Sequence, residues 1–494
     1  MPVDTQPSAQ RILVTGATGF VGRALVQALT GRGFSVQAWV RNPTRARSQL
    51  GPHVGLIAIT EDDTALVEAL GHTDAVLHLA GENVMAGRWT ASRKRALYAS
   101  RVDLTRRLVA AIARATARPH TLVASSAVGF YGDQGDKPLT EKAAAGSGFL
   151  GRLCQDWEQA ASDATAHGLR VVNLRTGLVL GEGGGVFQAL QPVFSLSLGG
   201  PLGTGNQYLP WIGIDDLVQT FLFATQNSNL AGPVNACAPN PVTSTEFAHQ
   251  FGQALHRPAV LRVPSLALKT VLGERSELLL QSQRAVPAKL QAAGFEFRHP
   301  TLKSLLQHLH SARDTISIAH FNGTAPSTAA ARATYLLHTR TPLPVGATEA
   351  FAFFGQAENL GLITPPFMGF QITSQPTGEI EAGAEIRYRI KLGPTTLPWR
   401  TRIPRWDPPA VFVDQQITGP YHTWWHEHRL EPQDANHCVM VDQVYYRPPL
   451  GLLGRLVHGV LIAPTLRTIF AYRQASIARL YAAHQAPTTT VPPT

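Results

Sequence analysis

The sequence predicts two folded parts: an α/β domain with a doubly wound parallel sheet, and a smaller α+β domain in which an antiparallel sheet grips a long helix. Over the first 180 residues, short apolar runs alternate with segments of helical period, which is typical of parallel strands joined by crossover helices. Beyond residue 334, apolar and polar residues alternate with a period of two, which indicates half-buried antiparallel strands. A chain of 494 residues is also too long to fold around a single hydrophobic core, so more than one domain is expected.

The α/β domain is expected over residues 11–310. Its strands are predicted at 11–15, 35–40, 54–59, 74–79, 120–126 and 170–175, and its helices near 20–32, 62–70, 91–116 and 149–167. Residues 181–310 are richer in Gly and Pro and mix short strands with helices, predicted at 244–255 and 276–293. This part is expected to form a substrate lobe on the carboxyl edge of the sheet.

A linker is predicted over 311–333, where Ala, Thr, Ser, Gly and Pro predominate, and the second domain is expected over 334–485. Charged and apolar residues alternate without interruption in 385–392, the pattern of a half-buried strand. Further strands are predicted at 335–340, 410–418, 421–430 and 437–446, with helices at 346–356 and about 455–483. The polar segment 1–10 and the Pro/Thr-rich tail 486–494 are predicted to be disordered.

Composition narrows the classes of function. A formal net charge of +10 favours anionic ligands, but the basic residues are scattered and form no basic stripe, so nucleic acid is not predicted as a partner. Three widely spaced cysteines without metal-ligand spacing indicate a reducing compartment. The polar N-terminus and the interrupted apolar stretch 452–472 predict neither a secretory signal nor a transmembrane segment, so a cytoplasmic location is expected.

A glycine-rich turn after the first strand predicts a dinucleotide site. The pattern G-x-x-G-x-x-G stands between an apolar strand and a helical segment, where small residues let the backbone approach a pyrophosphate at the helix N-terminus. The turn comprises Gly16, Ala17, Thr18, Gly19, Phe20, Val21 and Gly22. This arrangement is typical of a Rossmann-type domain.

Two further strand ends refine the predicted cofactor. The second strand ends in Arg41 rather than in Asp or Glu, and an arginine there suits the 2′-phosphate of NADP better than the free ribose of NAD. The fourth strand ends in Leu79, Ala80 and Gly81, whose small size lets the adenosine half of a cofactor lie against the backbone. NADP is therefore the predicted cofactor, with NAD less favoured.

Several motifs across residues 11–305 resemble the epimerase-like branch of the extended short-chain dehydrogenase/reductase superfamily. They are Ala80–Asn83, Arg88–Thr90, Ser100–Arg101, Tyr131–Asp133, Arg175–Gly177, Gly199–Gly203 and Pro210–Ile212. The resemblance implies NADP contacts from Arg41, Leu79, Ala80 and Arg101, with Val179 near the nicotinamide end.

The catalytic pair Tyr-x-x-x-Lys of that superfamily is absent from the expected position. The register set by residues 157–161 places Leu150 at the tyrosine position and Cys154 at the lysine position, and neither side chain can serve. The substitutes that we expect are the strand-end hydroxyls of Ser125 and Ser126 and the phenol of Tyr131. Tyr131 would act as a general acid if an arginine, Arg101 or Arg175, lowered its pKa.

The second domain resembles the START-like superfamily of ligand-binding domains, also called polyketide cyclase or dehydrase-like. The residues that carry the resemblance are Pro342–Pro344, Ala350–Phe351, Leu362–Pro366, Trp399–Pro409, Gly419–Tyr421, Trp424–His428 and Phe470–Arg473. It implies an apolar cavity between sheet and helix. His426 and His428 share one strand face and could bind a metal with a third ligand from His422 or His437, but histidines on a polar sheet face are commoner, so no metal is predicted.

The sequence therefore favours an NADP(H)-dependent oxidoreductase or epimerase-like enzyme on a small or lipid-like substrate. Two alternatives stay open. The missing pair suits a non-catalytic NADP-binding sensor or scaffold, and the second domain suits a carrier of a lipid-like ligand.

Overall fold

The computed structural model describes residues 10–375, 380–392, 395–449, 454 and 457–482. Most of the segments predicted to be disordered, 1–9 and 486–494, lie outside these residues. The chain forms two compact units: one comprises Met1–Val26, Phe34–Pro43 and Gly55–His310, and the other comprises Gln27–Gly33, Thr44–Val54 and Ser311–Thr494. Within the described ranges, no helix is both long enough and apolar enough to cross a membrane.

The first unit is built on a parallel sheet with flanking helices, as predicted. Its strands are β1 (Arg11–Thr15), β2 (Ser35–Val40), β3 (Gly55–Ala58), β4 (Ala75–His78), β5 (Thr121–Ala127), β6 (Pro138–Leu139), β7 (Arg170–Thr176), β8 (Leu178–Gly181), β9 (Tyr208–Leu209), β10 (Trp211–Gly213), β11 (Gly232–Ala236), β12 (Val242–Thr243) and β13 (Arg284–Ala285). The main sheet has seven strands in the order β11-β7-β5-β4-β1-β2-β3. Every neighbouring pair in it is parallel.

The helices up to residue 314 connect these strands. They are α1 (Phe20–Thr30), α2 (Pro43–Leu50), α3 (Thr64–Leu70), α4 (Ala91–Tyr98), α5 (Leu104–Arg114), α6 (Phe149–Ser162), α7 (Gly185–Ser195), α8 (Ile214–Gln226), α9 (Ser244–Ala254), α10 (Ser265–Leu272), α11 (Glu277–Leu280), α12 (Ala288–Ala292) and α13 (Leu302–Asp314). A π-helical turn, Ala99–Asp103, joins α4 to α5. The apolar pairs Leu66/Leu70 and Leu108/Ile112 are spaced by one helical turn, and they bury their side chains in the same core as Leu122.

The predicted substrate lobe differs from the structure in two places. Within 181–310 the chain returns to the main sheet and adds β11 beside β7; its five residues, interrupted by a proline, are too short and mixed to read as a buried strand. The helix predicted at 276–293 is not continuous: α11 ends at Leu280, β13 follows, and α12 begins after Pro287. A proline inside a helix removes a backbone donor and clashes with the preceding turn, which accounts for the break.

The second unit is an antiparallel sheet with one long helix, an α+β fold consistent with the helix-grip type. Its strands are β14 (Ser317–His320), β15 (Tyr335–Leu343), β16 (Gln371–Ser374), β17 (Glu385–Leu392), β18 (Thr395–Asp407), β19 (Val411–Thr418), β20 (Thr423–Pro432) and β21 (Cys438–Arg447). The order in the sheet is β14-β15-β21-β20-β19-β18-β17-β16. Among the described residues after 314, the α-helices are α14 (Ala347–Phe354) and α15 (Ala463–Leu480).

The long helix covers one face of this sheet. Leu466 and Phe470, one turn apart on α15, pack in one core cluster with Trp399, Trp424 and Tyr446 of the sheet. The segment predicted to be a linker, 311–333, carries the end of α13 and strand β14, which pairs with β15. This edge strand was not predicted, because its four residues are mostly exposed and the composition around them is mixed.

Candidate functional site

The glycine turn between β1 and α1 is close-packed. Gly16 has φ +66°, and a Cβ there would lie 2.6 Å from the carbonyl oxygen of Leu79. A Cβ on Gly22 would lie 2.2 Å from the carbonyl oxygen of Gly16, and the Gly19 N–H donates to the same oxygen at 3.0 Å. Helix α1 begins at Phe20, so the N–H groups of its first turn lack intrahelical partners and can bind an anion. The residues present therefore fit a dinucleotide.

A buried histidine joins the strand ends that surround this turn. The Thr15 hydroxyl accepts the N–H groups of Leu79 and Ala80, both at 3.1 Å, and lies 2.7 Å from Nδ1 of His78. Nε2 of His78 lies 2.8 Å from the hydroxyl of Thr105 on α5. Burial lowers the pKa of His78 to about 4, so the imidazole is neutral. His78 was not among the residues predicted to matter, although a histidine at the end of an apolar strand could have indicated a buried polar contact.

Arg101 lies in the π-helical turn and reaches the carboxyl end of β4. Its Nη2 donates to the carbonyl of Glu82 at 2.9 Å, and its guanidinium carbon would lie 3.2 Å from a Cβ on Gly81. The guanidinium also faces the Trp157 ring at 5.2 Å. Burial lowers the pKa of Arg101. A π-helical turn often marks a functional position, because it displaces one residue from the helical register.

Arg41 and Val179 occupy different surroundings. Arg41 is exposed just after β2, and its guanidinium makes no hydrogen bond to any residue that the structure describes. Val179 is half-buried on β8 and pairs with Ile212 of β10. A Cβ on Gly185 would lie 2.6 Å from the carbonyl oxygen of Val179 and 3.0 Å from the Phe20 ring. Val179 is thus close to the residue that begins α1.

The positions of the missing pair are packed in the interior. Leu150 and Cys154 of α6 are 6% and 4% exposed, and each belongs to a buried apolar cluster. Burial raises the pKa of the Cys154 thiol to about 12. Neither residue therefore offers a proton donor or a thiolate near neutral pH.

Two of the three hydroxyls predicted to replace the catalytic pair, those of Ser126 and Tyr131, belong to a buried hydrogen-bond network. Ser126 donates to Glu158 at 2.6 Å, and Glu158 accepts Nε and Nη2 of Arg175, each at 2.8 Å. Nη1 of Arg175 lies 3.0 Å from the Tyr131 hydroxyl, which donates to Oδ1 of Asn235 at 2.6 Å. This network joins β5, α6, β7 and β11.

The condition for Tyr131 to act as a general acid, a lowered pKa, is not met in the structure. Burial raises that pKa, and the contact with Arg175 offsets it only in part. The residue that contacts Tyr131 is Arg175 rather than Arg101. Ser125 differs from the other two: it is half-buried near the carboxyl end of β5, and its hydroxyl makes no hydrogen bond to the described part of the chain.

An apolar cavity of about 150 Å³ lies in the lobe built on β8, α7 and α9. Its walls come from the segments 178–209, 244–248, 263 and 279, and Ser244 is the polar side chain among them. Leu178 and Val186 of the wall flank the β8–α7 turn in which Gly184 and Gly185 approach the Phe20 ring. One residue of the cavity wall, Val186, therefore follows directly on Gly185, which packs against the Phe20 ring.

Polar residues of the second unit form a separate cluster. His426 and His428 are buried, and both contact Asp414 and Asp442. The residues considered earlier as a third ligand, His422 and His437, are exposed and do not join this cluster. His437 instead contacts Asp434.

Comparison with known proteins gives a consistent result. The family model "NAD dependent epimerase/dehydratase family" matches residues 12–237, and a domain of unknown function, DUF1731, matches residues 263–309. The Epimerase family protein ML0860 of Mycobacterium leprae is 41% identical over 300 residues, which is 60% of this chain and 94% of that protein. The human Epimerase family protein SDR39U1 is 35% identical over 60% of this chain and 99% of its own length.

Solved structures also show similarity to this chain. A crystal structure of human SDR39U1 (isoform 2) with NADPH shares 34% identity and a TM-score of 0.55, over 61% of this chain and 99% of that one. A UDP-glucuronic acid 4-epimerase from Bacillus cereus, at 18% identity and a TM-score of 0.51, shares the fold.

Proposed function

Since the chain belongs to the NAD dependent epimerase/dehydratase family, we propose that it is an NADP(H)-dependent oxidoreductase acting on a small apolar carbonyl compound or alcohol. The observation that carries this proposal is that the glycine turn and the apolar cavity lie in the same unit, where Val186 of the cavity wall follows Gly185, which packs against the Phe20 ring. Bound NADP(H) would supply the hydride. The cytoplasm is the proposed location, because the free cysteines of the chain are buried as thiols.

Cofactor binding is assigned to the residues that the sequence indicated. The turn Gly16–Gly22 and the first N–H groups of α1 hold the pyrophosphate, because the close backbone contacts there leave no room for larger side chains. Leu79, Ala80 and Gly81 lie beside Gly16 and hold the adenosine half. The solvated guanidinium of Arg41 is placed for a 2′-phosphate, and the NADPH in the human relative's structure supports that choice.

The substrate class follows from the lining of the cavity. A sugar nucleotide needs charged and hydrogen-bonding partners, whereas this wall is almost wholly aliphatic and aromatic. An apolar substrate gains about 25 cal/mol for each Å² that leaves water. The cavity therefore favours an apolar body with one polar group directed toward β8 and the glycine turn.

Proton transfer is assigned to Ser125. Its hydroxyl has no partner in the described structure, so it can donate to or accept from a substrate oxygen at the carboxyl end of β5. Ser126 and Tyr131 do not transfer the proton themselves. They fix the end of β5 through their hydrogen bonds with Glu158 and Arg175.

The cofactor assignment is tested with Arg41→Ala. We expect NADPH affinity to fall about ten- to a hundredfold, because a charge-assisted hydrogen bond worth about 1.5–3 kcal/mol is lost. The affinity for NADH, which lacks the 2′-phosphate, serves as the internal control and should stay unchanged. Fluorescence titration measures both, and an equal loss for the two nucleotides would refute the assignment.

The substrate assignment is tested with a matched pair on and after α7. Val193 lines the cavity and is 41% exposed, whereas Leu196 is 52% exposed and lies outside the lining. Val193→Asp should raise the KM for apolar aldehydes and ketones about tenfold, because an apolar substrate packed against that wall would remove water from the carboxylate. Leu196→Asp should leave KM unchanged. Equal effects of the two substitutions would remove this cavity from the substrate site.

A non-catalytic NADP-binding role is the second candidate, favoured by the interior packing of Leu150 and Cys154 and by the engaged hydroxyls of Ser126 and Tyr131. It requires tight NADPH binding without hydride exchange. Incubation with NADPH carrying deuterium at C4, across a panel of apolar carbonyl compounds, separates the two candidates. Stereospecific loss of the label excludes the non-catalytic role, and complete retention with every compound excludes the oxidoreductase.

For the second unit, we propose a START-like ligand-binding role. The support is a cavity of about 70 Å³ lined mainly by apolar residues of β17, β18 and α14 and by Arg473 of α15. Native mass spectrometry of the full chain should show a co-purified small molecule. Its absence after gentle purification would count against this role.

A further inference from the structure

Three metal-ligating side chains converge on neighbouring strands of the second unit. Asp414 of β19 stands opposite His426 of β20, and His428 lies two residues further along β20, on the same face. Oδ2 of Asp414 lies 3.2 Å from Nδ1 of His426 and 3.1 Å from Nε2 of His428. The ligand atoms of the three residues all lie within 4.8 Å of one another. Two imidazoles and a carboxylate are a donor set of transition-metal sites.

A second carboxylate orients both imidazoles from the other side. Asp442 of β21 is 1% exposed, and its Oδ1 lies 2.8 Å from Nδ1 of His428 and 3.0 Å from Nε2 of His426. Each imidazole can therefore donate one N–H to Asp442 and turn the lone pair of its other nitrogen toward Asp414. A carboxylate behind a histidine ligand fixes its tautomer and is a usual feature of protein metal sites.

The charges of the cluster are suited to a bound cation. Two buried carboxylates, Asp414 and Asp442, face one guanidinium, since Nη2 of Arg473 lies 3.4 Å from Oδ1 of Asp442. A metal ion bound through the imidazole lone pairs requires both imidazoles to be neutral, and the two carboxylates and one guanidinium then leave one net negative charge. A divalent ion between the three ligand atoms offsets that charge.

One side of the cluster is open. Asp414, His428 and Arg473 form part of the wall of the 70 Å³ cavity, so a ligand there can reach an ion held by the cluster. Arg473 is 8% exposed, and its Nε has no hydrogen-bond partner among the described residues. This unpaired donor in the same wall indicates that the cavity receives a hydrogen-bond acceptor. Three protein ligands with one open position is the arrangement of catalytic rather than structural zinc sites.

We propose that Asp414, His426 and His428 bind a divalent first-row transition-metal ion, represented by Zn²⁺, with one coordination position open to the cavity of the second unit. Asp442 is a positioning residue for the two imidazoles. The proposal is independent of the oxidoreductase assignment, because it concerns a separate unit and a separate cavity.

The test uses the full-length chain, stripped with a chelator and titrated with Zn²⁺ and with Co²⁺. One equivalent of metal should bind, and Co²⁺ should give visible absorption bands of a site with nitrogen and oxygen ligands. Asp414→Asn, which keeps the shape of the side chain, and His428→Ala should abolish that stoichiometric binding. Asp442→Asn should keep the stoichiometry and weaken the affinity about 10- to 100-fold.

His437→Ala is the matched control, because His437 is exposed and pairs with Asp434 outside the cluster. It should bind one equivalent with unchanged affinity, and circular dichroism checks that each variant is folded. Failure of the folded wild-type chain to bind either ion would overturn the proposal. Equal loss of binding in the control would overturn it as well, by showing that surface histidines hold the metal.

Discussion

At the residue scale, the three candidate hydroxyls, those of Ser125, Ser126 and Tyr131, differ mainly in what their oxygens already contact. Tyr131 is fully buried, and its hydroxyl lies between Arg175 and Asn235. Asn235 is 104 residues away in sequence, so no local pattern could reveal that Tyr131 is enclosed. The motifs around Tyr131 indicated its place near the strand end, but long-range packing decides the direction of its pKa.

Replacing Tyr131 tests this difference. Tyr131→Phe leaves Oδ1 of Asn235 without its donor, so we expect the free energy of unfolding to fall by about 1–3 kcal/mol. Tyr98→Phe is the control, because the Tyr98 hydroxyl makes no hydrogen bond within the described ranges. Denaturant titration measures both. Unchanged stability of Tyr131→Phe, together with turnover at least tenfold slower, would contradict the structural role and favour Tyr131 as the general acid.

At the element scale, long and regular patterns were predicted well and short ones were not. The strands from β1 to β5 and β7 were predicted to within one or two residues, because buried parallel strands read as unbroken apolar runs. Helix α2 was missed since its polar sequence shows little periodicity. Strand β18 was missed since prolines at 398 and 404 interrupt its alternation.

The link between β1, β4 and α5 through His78 makes the stability of that core pH-dependent. The pKa of His78 is lowered to about 4 by burial, below the ordinary 6.5 of an unfolded chain. The unfolded state therefore binds the proton first, and the contribution present above pH 6.5 is lost as the pH falls toward 4.

The corresponding measurement compares the wild type with His78→Gln. A shift of this size corresponds to about 3 kcal/mol, so the stability difference between the two proteins should shrink by about that amount from pH 7 to pH 4. Urea unfolding at each pH gives the values. A difference that stays constant with pH would show that His78 is not buried as a neutral group.

At the scale of the whole molecule, the candidate sites belong to two units with separate cores. The glycine signature and Arg41 predicted a cofactor site in the first unit, because the glycine turn is made of consecutive residues and Arg41 directly follows a strand that is recognisable in the sequence. From the sequence, a third ligand beside His426 and His428 could only be sought at His422 or His437, and no metal was predicted. The structure supplies Asp414 from the neighbouring strand, and sequence spacing does not reveal strand order.

Cofactor binding should stabilise the fold as a whole-molecule effect. NADPH at a hundred times its Kd is expected to raise the free energy of unfolding by about 2.7 kcal/mol, because it binds the folded state alone. Gly22→Ala should abolish this gain, since its Cβ would collide with the Gly16 carbonyl. Gly148→Ala, where the added Cβ meets nothing within 4 Å and the backbone φ is −70°, is the control and should keep the gain. Thermal unfolding with and without NADPH measures this gain. An unchanged midpoint temperature of unfolding in the wild type would contradict the cofactor assignment.

The return of the chain to the main sheet as β11 has a consequence for biosynthesis. Strand β7 is complete at Thr176, but its neighbour β11 is complete only at Ala236, after the cavity-lining segment of the lobe. At translation rates of about 5–20 residues per second, the growing chain presents β7 as an unpaired edge for roughly 3–12 s. An apolar edge exposed for that time is a target for aggregation, so chaperones that bind nascent chains should engage this protein while its lobe is being synthesised.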